Sequence, residues 1–406
     1  MNTRRNFVVT ALTAPAILRG GTKPWSEVQK LLAKGDVKGK LSKEDLPTPA
    51  LLLDLDLFES NVTKMTAHAK SHNRALRPHA KTHKCAEIAK YLIRSGAVGA
   101  CTAKISEAEA LASEGVTGIL ITGAMVGSPR IERAIALAHR RPETIFVVDN
   151  TQNAKDLNDA AGAAKLKLNV AIDLLVGKRT GIQPGQPALG LAQSISQLPN
   201  LKLAGIQAYS GNSSHVKGFE ARKKASQEWM GQAVETRRLL ESSGVLCPWL
   251  SGGSTGTYNI DSDIDGITEL QPGSFVFMDQ GYNAIGGADG KEQYTDFANS
   301  LTVLSTVYDK PADDMAVVDA GLKSFATDSG GPPQAVNLKG VTYAWGGDEH
   351  GKLDLKNADR GLNLGDRVEF LVTHCDPTVN LYDKIYCHRK GLIESVWRVT
   401  ARGMSQ

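Results

Sequence analysis

Four groups of polar residues in this chain carry side chains that could do chemistry together. The first is Arg77-Pro78-His79-Ala80-Lys81-Thr82-His83-Lys84, in which Lys81 stands just past a short apolar run. A lysine taken out of water loses proton affinity, and a neutral amine is what Schiff-base chemistry requires. Taken alone, a loop lysine is more often a solvated surface residue, and Lys84 is expected to begin the helix that follows. The second group is Ser251-Gly252-Gly253-Ser254-Thr255-Gly256-Thr257, with Gln271-Pro272-Gly273-Ser274 after it. Glycines let backbone N–H groups close on an anion and hydroxyls add donors, so Ser254, Thr255, Gly256, Gly273 and Ser274 could cradle a phosphate. The third comprises Arg179, Tyr209 and His215, each of a type that is structural more often than functional when it stands alone. The fourth is Thr373-His374-Cys375-Asp376-Pro377-Thr378. Strand periodicity would put His374 and Asp376 on one face and turn Cys375 away. An imidazole and a carboxylate so placed can share a borderline or hard divalent ion, or simply hydrogen-bond.

These residues need a frame, and the apolar pattern supplies one. Short β-rich runs near residues 75–79, 97–103, 118–122, 144–148, 168–174, 203–209, 248–252 and 268–278 alternate with segments of helical period, among them 85–94, 105–114, 130–140 and 219–242. Eight such units predict a (β/α)8, TIM-like barrel of class α/β. In that fold the site is built at the carboxyl ends of the strands. Lys81 follows strand one, Arg179 strand five, Tyr209 and His215 strand six, and the two glycine loops follow strands seven and eight, where barrels frequently hold phosphate. After residue 290 the runs at 301–308, 315–319, 340–344, 367–373 and 392–400 have no helices between them and read as a second, mainly antiparallel β domain. The barrel is assigned residues 47–289, and the β domain residues 25–46 and 290–406.

At 406 residues the chain exceeds the usual size of one domain. Its formal charge of +4 is spread without a basic stripe, which argues against nucleic acid as a partner. Five cysteines without CxxC pairing indicate neither a zinc ribbon nor a disulfide framework. Thr3-Arg4-Arg5-Asn6-Phe7 precedes an apolar stretch free of acidic residues at 8–18, the pattern of a twin-arginine export leader over residues 1–24. A periplasmic location is the expectation from that leader and a cytoplasmic one without it. The stretch is too short to span a membrane, and no later segment qualifies.

The motifs TPALLLDLD (48–56), RPHAKTHK (77–84), the 209–215 segment, SGGSTGT (251–257), ELQPGSFVFMD (269–279), VVDAGLK (317–323), GDEHG (347–351) and HCDPTVN (374–380) resemble those of pyridoxal-phosphate enzymes of the alanine-racemase fold, and among them the D-threonine aldolase group. The match runs from about residue 47 to 403. The resemblance implies that Lys81 carries pyridoxal 5′-phosphate, that Ser254, Thr255, Gly256, Gly273 and Ser274 form its phosphate cup, and that Arg179 and Tyr209 border its ring. It makes His374 and Asp376 the ligands of a divalent metal, manganese or magnesium first, with zinc and cobalt as alternatives. It also implies a homodimer and a small-molecule substrate, a D-β-hydroxy-α-amino acid cleaved to glycine and an aldehyde. His215 or a metal-bound water is the expected proton acceptor, with His83 the weaker candidate. A dehydratase of this fold resembles the chain but has cysteine in place of Asp376, so the aspartate favours the aldolase. Dehydration of D-serine or 3-hydroxy-D-aspartate, racemisation, and cofactor binding without catalysis are the other readings.

Overall fold

The computed structural model describes residues 23–177, 179–336 and 338–406; the expected leader lies almost wholly outside them. Among the described residues two sheets account for the strands, one of eight parallel strands and one of nine, mainly antiparallel. The parallel sheet contains Ala75–Leu76, Ala100–Thr102, Ile119–Ile121, Ile145–Val148, Leu168–Asp173, Leu201–Ala208, Leu250–Gly252 and Glu269–Leu270. Each expected barrel strand is represented. The eighth is shorter than the run at 268–278, because the chain turns into a 3-10 helix at Ser274–Val276.

Consecutive strands pair in sequence order from Ala100–Thr102 to Glu269–Leu270, and the last of these pairs with Ala75–Leu76. The remaining seam is closed by a parallel bridge between His79 and Cys101, flanked by Val98 N–H to Leu76 O (2.8 Å) and Ala80 N–H to Cys101 O (2.8 Å). Alternation along the strands then divides their side chains. Ile119, Ile121, Phe146, Val148, Val170 and Ile172 face the helices and join the main core, while Cys101, Leu120 and Val147 form a separate cluster of their own.

In the nine-stranded sheet the order is Thr342–Trp345, Gly351–Asp354, Met315–Val318, Leu301–Ala312, Ala50–Asp54, Lys384–Arg389 and Leu392–Arg398. Arg367–Leu371 also pairs with Leu301–Ala312 and carries Gln334–Ala335. The strand Ala50–Asp54 crosses the boundary expected at residue 47. It is antiparallel to Leu301–Ala312 on one side and parallel to Lys384–Arg389 on the other, so it belongs to this sheet and not to the barrel. Its unbroken leucine run is the pattern of a strand buried on both faces. Leu51 and Leu53 enter the main core, whereas Ala50 and Leu52 meet Val28, Val37, Leu41, Leu46, Leu304 and Ile393 on the other face. That second cluster seats the helix Trp25–Lys34 against the sheet.

All five cysteines are buried and unbridged. Among the described residues no helix is long and apolar enough to cross a membrane.

Candidate functional site

The carboxyl ends of the parallel strands surround a cavity of about 290 Å³ whose walls include Lys81, Arg179, Tyr209, His79, Asp173 and Gln271. Three of the residues singled out from the sequence therefore meet in one space. The Arg179 guanidinium lies 5.7 Å from the centre of the Tyr209 ring, in cation–π range. Beside Arg179, the buried Asp173 carboxyl accepts the Thr180 hydroxyl (3.1 Å), and burial pushes its pKa up to about 7.

Lys81 differs from the sequence expectation in its protonation. Its Nζ lies 3.4 Å from Asp376 Oδ1. That carboxylate, opposed by burial and by Arg179, holds the lysine above its ordinary pKa, not below it. The expected fall assumed burial in an apolar wall, and an ion pair to the second domain stands there instead. Burial alone would raise Asp376, but Lys81, Lys84 and His374 outweigh it and hold the carboxyl well below the usual range.

His374 and Asp376 face one another, with Nε2 and Oδ2 4.0 Å apart. Strand periodicity is not the reason, for the strand ends at Leu371, and Cys375–Val379 is a short helix preceded by His374 in extended conformation. The strand-to-helix turn brings the two side chains together. His374 Nδ1 is bonded to Asp328 Oδ2 at 2.7 Å, which leaves Nε2 for a ligand; a carboxylate behind a histidine is the usual partner of a metal-binding imidazole. Asp279 fixes the turn from the barrel side by accepting the Cys375 N–H (2.9 Å) on one oxygen and the Tyr282 N–H (2.9 Å) on the other. The donor set, one imidazole nitrogen and one carboxylate oxygen, suits a divalent ion with positions open to substrate and water. Among the described residues no group of three or more His, Cys, Asp or Glu side chains forms a closed metal site.

Lys84 does not begin the following helix. It sits at φ +50° ahead of the N-cap Cys85, and its ammonium bonds the backbone oxygens of Lys81 and of Asp376, the latter at 3.0 Å. It thereby ties the lysine loop to the turn carrying His374 and Asp376. His83 is buried, its Nδ1 accepts the Cys85 N–H (3.1 Å), and burial brings its pKa down to about 3. His83 does not line the cavity, and its Nε2 is buried with no partner among the described residues. His215 ends the short helix Gly211–Ser214 with its ring 4.4 Å from that of Tyr282. Burial lowers its pKa, with His374 and Lys81 adding to the effect and Asp279 and Asp376 opposing it.

The two glycine loops adjoin each other, and of these segments Gln271 lines the cavity, whereas Ser254, Thr255, Gly256, Gly273 and Ser274 are not among its walls. The N–H groups of Thr255, Gly256, Gly273 and Ser274 have no protein acceptor among the described residues. A Cβ on Gly256 would stand 2.1 Å from Ser214 O, and one on Gly273 2.6 Å from Thr82 Oγ1, so both positions admit only glycine. Free donors on closely packed backbone suit a phosphate group. Ser254 contributes differently from expectation. Its hydroxyl bonds Thr257 Oγ1 (2.9 Å), which in turn donates to the buried Asp261 (2.5 Å), so Ser254 braces the loop instead of facing the cavity. The Thr255 oxygen accepts the Phe275 N–H (3.0 Å) and joins the two loops.

His79, Asp173, Gln207, Gln271, Asp279 and Asp328 escaped the sequence reading. Gln271 carried a signal, being adjacent to Pro272-Gly273-Ser274; Asp328 carried none, since only the fold brings it to His374.

Residues 53–281 match the alanine racemase N-terminal domain and residues 300–388 a putative serine dehydratase domain. A D-threonine aldolase of Arthrobacter sp is 38% identical over 88% of this chain and 93% of its own length. A 3-hydroxy-D-aspartate aldolase of Paracoccus denitrificans is 36% identical over 89% of this chain and 94% of its own. The crystal structure of D-threonine aldolase from Filomicrobium marinum superposes with a TM-score of 0.84 at 36% identity, covering 89% of this chain and 97% of that one. With the barrel, the lysine at its mouth and that coverage taken together, the chain belongs to the pyridoxal-phosphate-dependent family of alanine-racemase fold that includes D-threonine aldolase.

Proposed function

We propose that this protein cleaves D-β-hydroxy-α-amino acids, D-threonine among them, to glycine and an aldehyde. Lys81 would hold pyridoxal 5′-phosphate, Thr255, Gly256, Gly273 and Ser274 its phosphate, Arg179 and Tyr209 would border its ring, and His374 with Asp376 would hold a divalent metal. When bound, the cofactor withdraws electrons from the substrate α-carbon and the metal acts as a Lewis acid on the β-hydroxyl. The observation that supports the reading is the 3.4 Å contact between Lys81 Nζ and Asp376 Oδ1, which sets the amine that would hold the cofactor beside the pair that would bind the substrate's hydroxyl.

The protein's own part is orientation and proton traffic. Asp328 holds His374 with Nε2 turned toward Asp376, and Asp279 and Lys84 fix the turn on which both stand. His215, kept neutral by its lowered pKa, accepts the β-hydroxyl proton as the Cα–Cβ bond breaks. The electron pair of that bond stays with Cα, which takes up a proton to complete glycine, and the former hydroxyl carbon leaves as the aldehyde. Manganese or magnesium suits the nitrogen–oxygen donor pair, as do zinc and cobalt. A homodimer is the expected assembly, and the residue 1–24 leader supports export to the periplasm.

Incubation of the purified protein with D-threonine tests the assignment, with acetaldehyde and glycine as the expected products. Formation of 2-oxobutanoate alone would replace the aldolase by a dehydratase. Loss of optical activity without chain cleavage would make it a racemase.

A further inference from the structure

The two largest fully buried side chains among the described residues, Arg222 and Tyr294, both serve the first glycine loop. Arg222 stands near the start of the helix Phe219–Ser242 and is wholly enclosed. Its hydrogen-bond partners are all backbone carbonyls: Nε donates to Gly256 O (2.7 Å), Nη1 to Val216 O (3.0 Å) and Ile285 O (2.8 Å), and Nη2 to Gly286 O (2.8 Å). The rings of Phe219 and Tyr294 each have their centre 5.7 Å from the guanidinium carbon. Tyr294 in turn donates its hydroxyl proton to Thr255 O at 2.9 Å.

These contacts aim the loop. A trans peptide points its C=O and its N–H in opposite directions. Because Tyr294 holds the Thr255 carbonyl, the Gly256 N–H of the same peptide must face away from the tyrosine, and it is one of the four N–H groups with no protein acceptor among the described residues. Gly256 thus turns its oxygen to Arg222 and its free N–H elsewhere.

Charge is what these bonds leave open. A guanidinium stays protonated, and a buried one is ordinarily set against a carboxylate. Among the described residues no carboxylate bonds Arg222. Asp296, which acts on it only through its charge, accepts the Tyr258 hydroxyl (3.1 Å), and Asp261 beneath the same loop accepts the hydroxyls of Ser226 and Thr257. A cation at the start of a helix also opposes the helix dipole. Four carbonyls solvate the guanidinium without cancelling its charge, and burial lowers its proton affinity. The two glycine loops, 251–257 and 271–274, carry no charged side chain at all.

We propose that Arg222 is a positioning residue for the cofactor: without touching it, Arg222 supplies from behind Gly256 the positive charge that makes the loop select a phosphate dianion. The inference rests on the assignment of Thr255, Gly256, Gly273 and Ser274 to that phosphate. Backbone N–H groups and hydroxyls recognise a tetrahedral oxyanion by shape, whereas a buried cation behind them distinguishes two negative charges from one.

The test offers the apoprotein three aldehydes at mildly alkaline pH: pyridoxal, pyridoxal 5′-sulfate and pyridoxal 5′-phosphate. Visible absorbance gives the dissociation constants, and borohydride trapping scores attachment to Lys81 separately. Sulfate and phosphate share a shape and differ by one charge. Wild type should prefer the phosphate over the sulfate roughly tenfold, the scale of one unit charge acting through protein, and should bind both more tightly than pyridoxal. Arg222→Gln keeps an amide to reach Gly256 O but drops the charge, and should bind phosphate and sulfate about equally. Arg222→Lys keeps the charge but gives up most of the loop bonds, and should retain the preference. Equal binding of phosphate and sulfate by wild type, or an undiminished preference in Arg222→Gln, overturns the proposal. Loss of the preference in both variants overturns it in favour of a purely mechanical tie between loops. Should Arg222→Gln fail to fold, wild type and Arg222→Lys decide, since both must prefer the phosphate. Equal binding of pyridoxal and its phosphate by wild type, or trapping away from Lys81, overturns the cofactor assignment beneath this inference, and both are read independently of the phosphate-to-sulfate ratio.

Discussion

Replacing Asp376 by asparagine should separate the two tasks this carboxylate performs. In the metal-free protein it pairs with the Lys81 ammonium at 3.4 Å. Coulomb's law puts such a pair at about 1 kcal/mol in water and about 5 kcal/mol at an effective dielectric constant near 20. A third of the Lys81 side chain is exposed, so solvent screening favours the lower figure. A loss of about 1.4 kcal/mol corresponds to one pKa unit and hence to about tenfold more neutral amine at a given pH. The sign follows from the raised pKa: the wild-type amine remains protonated to higher pH, and only the neutral form attacks an aldehyde. With the carboxylate gone, burial and Arg179 act unopposed by it and move the lysine down. The assay mixes apoprotein with pyridoxal phosphate in chelator and follows the visible absorbance of the lysine-bound cofactor from pH 6 to 9. The pH profile of capture in Asp376→Asn should lie about one unit below that of wild type, while metal-dependent cleavage is lost. His374→Asn, which removes the proposed metal ligand but keeps the carboxylate, should leave the capture profile close to wild type. An unshifted profile in Asp376→Asn, or one moved to higher pH, would refute the electrostatic account of Lys81.

Asp328→Asn should weaken manganese binding about tenfold, the lower end of what an outer-shell carboxylate contributes, since its side chain is 53% exposed; chelator-buffered titration measures it. Arg77→Leu strands the buried Glu269 with the Ser251 hydroxyl and should cost about 3–5 kcal/mol, seen as a lower denaturant midpoint; Arg77→Met with Glu269→Gln should recover much of that. For His215, whose pKa is lowered, the neutral base persists into acid, so the acid limb of kcat/KM should fall below the ordinary imidazole value of about 6.5. His215→Asn should abolish that limb along with most of the activity, leaving cofactor capture unchanged.

The barrel was legible because each of its eight strands carries an apolar run separated by a helical period, and the site because a parallel barrel obliges its strand ends to converge. Lys81, Arg179 and Tyr209 are found together for that reason alone. What sequence periodicity could not supply was the second sheet's contribution. Asp376 reaches Lys81 across 295 positions of chain, and the same approach reverses the expected direction of the lysine's pKa. The pairing of His374 with Asp376 was right in outcome and wrong in cause, because a turn does what a strand was expected to do. Ala50–Asp54 could not be placed from its own residues, since a leucine run buried on both faces reads alike in a barrel strand and in a sheet centre. Asp328 and Asp279 matter only through their distances to the turn carrying His374 and Asp376, and distance across the fold is not written in spacing.

The position of Ala50–Asp54 bears on how the chain is made. This strand leaves the ribosome early, yet both its neighbours, Leu301–Ala312 and Lys384–Arg389, are synthesised only after the barrel. At ~5–20 residues per second the earlier neighbour follows only after tens of seconds. The whole barrel lies between them, so it can close while Leu51, Leu52 and Leu53 still await their partners. During that interval a greasy, unpaired segment is open to chaperones or to strand exchange with another nascent copy. Truncation ahead of Lys384 would therefore leave one edge of Ala50–Asp54 unpaired, some three hundred positions upstream.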